Sequence, residues 1–372
     1  MNRETRVTAF AAACMALVAC SDGSDRPPLS PIAMNEVQYL GTHNSYKRPI
    51  RPDLFEILRS VDPTLADSLD YSHLPLQEQF TNQGIRQIEL DVFYDPEGGL
   101  YASRQALVLV GEDPESKLPE LDEAGLKVLH IQEIDYETNC LSLVECLRAV
   151  KSWSDANPGH LPIMILVEAK DAPIDDPLDL GFVVPLPFDA RALDSIDQEI
   201  LSVFSTEQLI TPDWVRGERP SLEETILTVG WPRLDDARGR IMFALDNGGT
   251  TRDLYIEGHP SLAGRVLFTD SEPGTPEAAF IKQNSPDDFQ TIQAWVRQGY
   301  MVRTRADAGT EQARTGDTTR RDTALLSGAH FISTDYPVPD QRFTDYKVEI
   351  PGDNIARCNP VNASADCIDS EL

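Results

Sequence analysis

Eight short apolar runs punctuate this chain, and their spacing limits its fold more than any other feature. They are Val37–Thr42, Arg86–Val92, Lys127–Ile131, Ile163–Ala169, Ile241–Asp246, Val266–Thr269, Met301–Arg305 and Phe331–Asp335. Each is short and rich in β-branched or aromatic residues, as strands are. Stretches of helical period lie between several of them: Leu141–Asn157, Ala192–Phe204, Asp287–Gln298 and Thr319–Leu326. The first of these stops at Pro158-Gly159, a strong helix terminator. Strands alternating with helices join in parallel through right-handed crossovers. Eight of them predict an α/β fold, a closed (β/α)8 TIM-type barrel. An open doubly wound sheet is the alternative, weakened because no GxGxxG or P-loop pattern follows the first strand.

A chain of 372 residues has room for one such barrel, placed here at residues 35–345. Asp171–Ala190, rich in Pro and Asp, reads as a long loop after the Ile163–Ala169 strand, and residues 346–372 read as a C-terminal coil. The formal net charge of −29 argues against binding nucleic acid through its phosphates, and against simple electrostatic docking on an anionic membrane. Residues 1–19 carry two arginines and then a short apolar run, the pattern of an export signal. That run ends in Leu17-Val18-Ala19-Cys20, which resembles the bacterial lipoprotein signal. The resemblance implies a lipid anchor on Cys20, a flexible linker over residues 20–34, and an exported lipoprotein of the outer membrane or periplasm. Simple secretion is the alternative. Apart from Cys14 and Cys20, four cysteines remain. An even number in an exported chain suggests disulfides. Three pairings are possible, and the local pairs Cys140–Cys146 and Cys358–Cys367 are favoured. The spacings do not suit paired zinc ligands.

The polar residues cluster at the ends of the apolar runs. Strand one runs into His43-Asn44, and the third run ends near His130. The second reads IELDVF, and its two-residue period puts Glu89 and Asp91 on one face. The fourth ends in Glu168 and Lys170, again two apart, and the seventh carries Arg303 and Arg305 on one face. Each has an ordinary structural explanation taken alone: Glu168 pairs with Lys170, and the arginines pair with Asp307 or Asp335. In a βα barrel, however, all of them converge on one mouth. Three carboxylates and an amide oxygen suit a hard divalent cation, with calcium favoured over magnesium by the number of oxygens. Two histidines suit proton transfer, and Lys or Arg suits a phosphate. Together they point to metal-assisted cleavage of a phosphodiester. His73, His160 and His259 lie in loop-like contexts, and His330 lies at the opposite end of its strand from the mouth.

The ordered set THNSY, IELDVF, His130, NPGHLPIMILVEAK, MVRTRAD and HFISTDYP resembles the bacterial branch of the calcium-dependent phosphoinositide-specific phospholipase C family, over most of Val37–Pro337. The resemblance implies a PLC-like phosphodiesterase barrel with calcium (Ca2+) on Asn44, Glu89, Asp91 and Glu168. It implies His43 and His130 as the catalytic pair, with Lys170 and Arg303 helping to hold the phospholipid headgroup at a membrane surface. The family reaction releases diacylglycerol and forms an inositol cyclic phosphate. A glycerophosphodiesterase and an inactive lipid- or sugar-binding lipoprotein are the alternatives. The fifth run reads RIMFALDN, with Asp246 where eukaryotic members carry cations, so an unphosphorylated inositol headgroup is expected. Mass spectrometry of the mature protein is expected to find an acylated Cys20 at its N-terminus. An unmodified terminus beyond Cys20 excludes the anchor.

Overall fold

The computed structural model describes residues 32–352 and 354–372, together with Met1. The expected export signal, Cys20 and residues 20–31 of the linker lie outside the described residues. Eight parallel strands form the barrel wall: β1 (Val37–Thr42), β2 (Gln87–Phe93), β3 (Ile163–Ala169), β4 (Ile241–Leu245), β5 (Leu267–Thr269), β6 (Phe280–Lys282), β7 (Met301–Arg305) and β8 (Phe331–Thr334). Each pairs in parallel with the next, and β8 pairs with β1, from Tyr39↔Phe331 to Thr42↔Thr334. Only one bridge, Asp270↔Phe280, joins the ends of β5 and β6. The TIM-type barrel read from the sequence is therefore the architecture.

The membership of that wall differs from the expectation in one place. Lys127–Ile131 is not a stave. Only Lys127–Val128 is extended, and it lies antiparallel on the end of β2 through Val92↔Val128. The missing stave is β6, whose three residues are too few to make a periodic signal. The C-terminal tail also departs from a plain coil. Ala356–Cys358 runs antiparallel to the first half of β1, along the edge that β2 meets only at Gly41↔Gln87. Both expected disulfides are present, Cys140–Cys146 and Cys358–Cys367.

The covering helices follow their caps. α1 (Leu143–Ala156) begins where the Ser142 hydroxyl accepts the Glu145 N–H, and it ends before Pro158. α2 (Ala190–Val203) is capped by the Asp189 carboxylate on the Ala192 N–H. α3 (Phe289–Gln298) ends at Gly299, held at φ +109°. α4 (Thr319–Leu326) completes the crossover to β8. Leu147, Val150, Leu193, Ile196, Ile292 and Val296 bury the inner faces of α1, α2 and α3 against the wall.

Gly41 sets how close β1 and β2 approach. The Gln87 side chain crosses the position that a Cβ on Gly41 needs, with Gln87 Cβ at 2.8 Å from it. Gln87 is itself tied to the Thr42 carbonyl at 3.2 Å. Gly41→Ala is expected to cost ~1–3 kcal/mol through overpacking. Chemical denaturation measures it, and an unchanged midpoint contradicts the close approach.

Candidate active site

The chain leaves β1 through Thr42-His43-Asn44-Ser45, and this tetrapeptide is built as a brace. The Thr42 hydroxyl donates to Gln79 Oε1 at 2.7 Å. The Ser45 hydroxyl accepts the Glu89 N–H at 2.9 Å, and the Ser45 N–H donates to the Glu89 carbonyl at 3.0 Å. Asn44 makes the turn at φ +47°, a left-handed conformation that Asn tolerates well. The two hydroxyl residues thus fix the corner, and His43 and Asn44 face the C-terminal mouth.

Three carboxylates meet there. Glu89, Asp91 and Glu168 each place an oxygen within 4.8 Å of the others. Glu89 Oε2 accepts from Arg303 Nη2 at 2.5 Å. Lys170 Nζ lies 3.4 Å from Asp91 Oδ2 and 3.5 Å from Glu168 Oε2. Both Asp91 oxygens and Asn44 Oδ1 are buried without a hydrogen-bond partner. Buried acceptors are seldom left so. A convergent acidic group in which several buried oxygens lack a hydrogen-bond donor fits a hard divalent cation. The electrostatics agree. Burial, with Glu168 beside it, pushes the Asp91 carboxyl far above the usual carboxylate range. Burial carries Glu89 up to about 7 against the pull of Arg303. Burial opposes the charge on Lys170, but Asp91 and Glu168 hold it net above its ordinary value.

Each expected histidine has an aspartate behind it. His43 Nδ1 lies 2.9 Å from Asp335 Oδ1, and Tyr71 Oη lies 3.2 Å from the same nitrogen. Arg305 donates to His43 Nε2 at 3.2 Å and to Asp335 Oδ2 at 3.0 Å. That set assigns the ring proton to Nδ1, facing Asp335. Burial first, and the Arg305 guanidinium next, pull the His43 imidazole down to about 3. His43 Nε2 also lies 3.7 Å from Glu89 Oε1, which joins the histidine to the acidic cluster. His130 Nδ1 lies 2.8 Å from Asp135 Oδ2. Asp135 is fully buried and pairs through Oδ1 with Lys47 Nζ at 3.1 Å. Lys47 donates to the Tyr71 carbonyl at 3.1 Å, and Tyr71 reaches His43 and donor Asn44 Nδ2. One network therefore runs from His130 to His43.

The positions of the remaining expected residues follow. Arg303 is 1% exposed and faces inward on Glu89, Asn284 and Ser333. Lys170 is partly exposed beside the carboxylates. Asp246 is engaged by Lys282 at 2.5 Å. His330 is a buried structural residue, accepting the Val302 N–H and contacting the Asn35 carbonyl. His73 holds the His43 carbonyl at 2.8 Å. Sequence reasoning missed Asp135, Lys47 and Tyr71. Of these only Asp135 left a trace: it lies five residues after His130, on the return of a tight turn closed by Ile131↔Asp135.

A βα barrel whose C-terminal mouth joins a convergent carboxylate group to two histidine–aspartate pairs defines an enzyme that cleaves phosphodiesters. The family model described as phosphoinositide phospholipase C, Ca2+-dependent, matches residues 32–360, and the chain belongs to that family. Among solved structures it is similar to the calcium-dependent phosphoinositol-specific phospholipase C of a Gram-negative Pseudomonas species, apo form, at 15% identity and TM-score 0.51, covering 90% of this chain and 97% of that one. A structure of the same Pseudomonas enzyme described as a myoinositol complex matches at 16% identity and TM-score 0.51, over 88% of this chain and 96% of that one. The Ca2+-dependent phosphatidylinositol-specific phospholipase C of Streptomyces antibioticus matches at 16% identity and TM-score 0.50, over 82% of this chain and 95% of that one. No curated protein matches by sequence.

A cation that binds only the folded chain stabilises it by mass action, by about 2.7 kcal/mol at a hundredfold excess over Kd. Calcium is expected to raise the melting temperature of the wild type, and Asp91→Asn is expected to lose most of that rise. An equal rise in both removes Asp91 from the cation site.

Proposed function

We propose that the chain is a calcium-dependent phospholipase C that cleaves phosphatidylinositol-type lipids to diacylglycerol and inositol cyclic phosphate. The observation that carries this reading is the group of unpartnered buried oxygens on Asn44 and Asp91, joined through Glu89 to His43. Asn44, Glu89, Asp91 and Glu168 would hold the calcium. When bound, calcium lowers the pKa of an attacking hydroxyl and neutralises phosphate charge.

The chain's own groups supply the proton transfers. The inositol 2-hydroxyl oxygen bonds to phosphorus as the bond to the diacylglycerol oxygen breaks. One of the cluster carboxylates takes the hydroxyl proton. His43, kept neutral with Nδ1–H on Asp335, presents Nε2 as an acceptor that shares the proton of the attacking hydroxyl. Arg305, already beside that nitrogen, donates to the phosphoryl oxygen. His130 delivers a proton from Nε2 to the leaving oxygen, and Asp135 on Nδ1 stabilises the imidazolium that does so. Lys170, partly exposed beside Asp91, contacts the headgroup phosphate, whereas the inward Arg303 fixes Glu89.

Two further features support the substrate assignment. Lys282 is engaged by Asp246, which favours an unphosphorylated ring over one needing a free cation there. Loops after β2, β3 and β8, the loops of the mouth end, expose the apolar side chains of Val108, Leu178, Val184 and Val338, which would meet a lipid surface presented to that end. Among the described residues no helix is long and apolar enough to cross a membrane. The Cys20 lipid is proposed as the anchor, and the outer membrane or periplasm as the location, on the strength of the Leu17–Cys20 signal.

Phosphorus NMR of the protein with phosphatidylinositol vesicles tests the reading. A cyclic phosphate signal is expected with calcium and not with chelator. His130→Ala is expected to lower turnover by about two to four orders of magnitude, the usual worth of a general acid, with calcium binding retained. A linear monoester with no cyclic precursor makes the chain a glycerophosphodiesterase instead.

A further inference from the structure

Asp307 lies two residues beyond the end of β7 and is fully buried, yet neither the carboxylate cluster nor the two histidine pairs include it. Among the described residues no cation lies within ion-pair distance of it, because Arg305 is turned to Asp335 instead. A buried carboxylate without a contacting cation is costly. Burial first, and the Asp335 carboxylate next, push the Asp307 carboxyl above its ordinary range against the pull of Arg305.

What Asp307 holds is the exit of β8. Its Oδ1 accepts the Asp335 N–H at 2.9 Å. Its Oδ2 accepts the Thr334 hydroxyl, whose oxygen in turn accepts the Tyr336 N–H at 2.9 Å. The Tyr346 hydroxyl lies 3.3 Å from the same Oδ2 and 3.1 Å from the Ala306 carbonyl. Donors therefore approach both oxygens. An amide presents one accepting oxygen where the carboxylate presents two.

Asp335 is thus gripped at both ends by one short stretch of chain. Its amide is on Asp307, and its Oδ2 is on Arg305, two residues earlier. Ala306 between them fixes the stretch itself, its N–H donating to the Ser333 carbonyl at 2.8 Å. The remaining oxygen of Asp335, Oδ1, lies 2.9 Å from His43 Nδ1. An aspartate side chain is short and occupies staggered rotamers, so fixing its backbone and one oxygen fixes where the other points. His43 is tied to the same turn, its N–H on the Thr334 carbonyl at 3.2 Å.

We propose that Asp307 is a positioning residue of the active site, which sets the carboxylate that orients His43 by holding the Asp335 amide. Its effect on turnover rests on the phospholipase reading above, whereas its effect on His43 does not.

The test follows the ring N–H signals of both active-site histidines by NMR of the whole histidine-labelled protein, in chelator and without substrate. His43→Gln and His130→Gln assign the two signals. In Asp307→Ala the His43 Nδ1–H signal is expected to shift upfield or broaden through exchange with water. The His130 signal, held by Asp135 and Lys47, is expected to stay in place. Asp307→Asn keeps an oxygen for the Asp335 N–H and is expected to bring the His43 signal back towards wild type. An unmoved His43 signal in Asp307→Ala overturns the proposal. So does equal displacement of both histidines, or an Asn variant displaced as far as the Ala variant. In wild type the Asp335 N–H is expected to exchange slowly with solvent, and rapid exchange overturns the proposal even where Asp307→Ala fails to fold. With calcium and phosphatidylinositol vesicles, Asp307→Ala is expected to lower kcat by about ten- to a hundredfold at nearly unchanged KM, the scale of a small misplacement near reacting groups. An unchanged kcat also overturns the proposal. A wild type that leaves phosphatidylinositol uncleaved removes the phospholipase reading instead, and the His43 signal then decides the role of Asp307 by itself.

Discussion

Glu89 and Asp91 sit two residues apart on β2, both buried, with Glu168 close enough to share an ion. At an effective dielectric constant near 20, two like charges about 5 Å apart repel by about 3 kcal/mol. The barrel offsets this by placing cations opposite. Arg303 reaches from β7 to Glu89 on β2, so the ion pair crosses the inside of the barrel. Asn284, after β6, and Ser333 on β8 hold the same guanidinium. Four of the eight staves therefore contribute directly to the placement of one carboxylate. Lys170 does the equivalent work for Asp91 from the end of β3. Two cations against three carboxylates leave the cluster short of positive charge, and that shortfall is the physical basis of the proposed calcium site.

The histidines depend on a separate layer of buried charge. Asp335 is shared between His43 and Arg305, and Asp135 between His130 and Lys47. Burial alone raises a carboxyl, yet these two partnerships hold Asp335 down to about 2 and Asp135 net below its ordinary value. Both carboxylates thus remain anions behind the imidazoles and fix the Nδ1–H tautomer. Lys47 and Asp135 are both fully buried, so losing either partner leaves an uncompensated charge, at a cost of about 3–5 kcal/mol. The joint between the histidine loops is consequently rigid, and it runs through Tyr71, which touches His43, Asn44 and Lys47.

How much of this could be read in advance follows from where each residue lies. Glu89 and Asp91, Glu168 and Lys170, and Arg303 and Arg305 were legible because strand period fixes their face and because charges inside apolar strands are rare. The barrel itself was legible from the alternation of runs. β6 was not, since Phe280–Lys282 is held by its neighbours rather than by any pattern of its own. Lys127–Ile131 misled because an apolar run in a short antiparallel pairing looks like one in a barrel wall, and only pairing distinguishes them. His130 nevertheless reaches the network, carried there by the antiparallel pairing of Lys127–Val128 on the end of β2. Lys47, Tyr71 and Asp135 come from irregular segments, where position is set by long-range contacts that no periodicity records.

The distribution of cations also resolves a tension in the overall charge. A chain of net charge −29 that acts on an anionic phosphodiester gains little from general attraction. Nor is the mouth a basic funnel. Lys47 pairs with Asp135, Lys170 with Asp91, Arg303 with Glu89, Arg305 with Asp335 and Lys282 with Asp246. An incoming phosphate meets cations whose charge is already balanced. On the proposed reading the additional positive charge arrives with the divalent ion, which couples metal binding to substrate binding through one electrostatic shortfall.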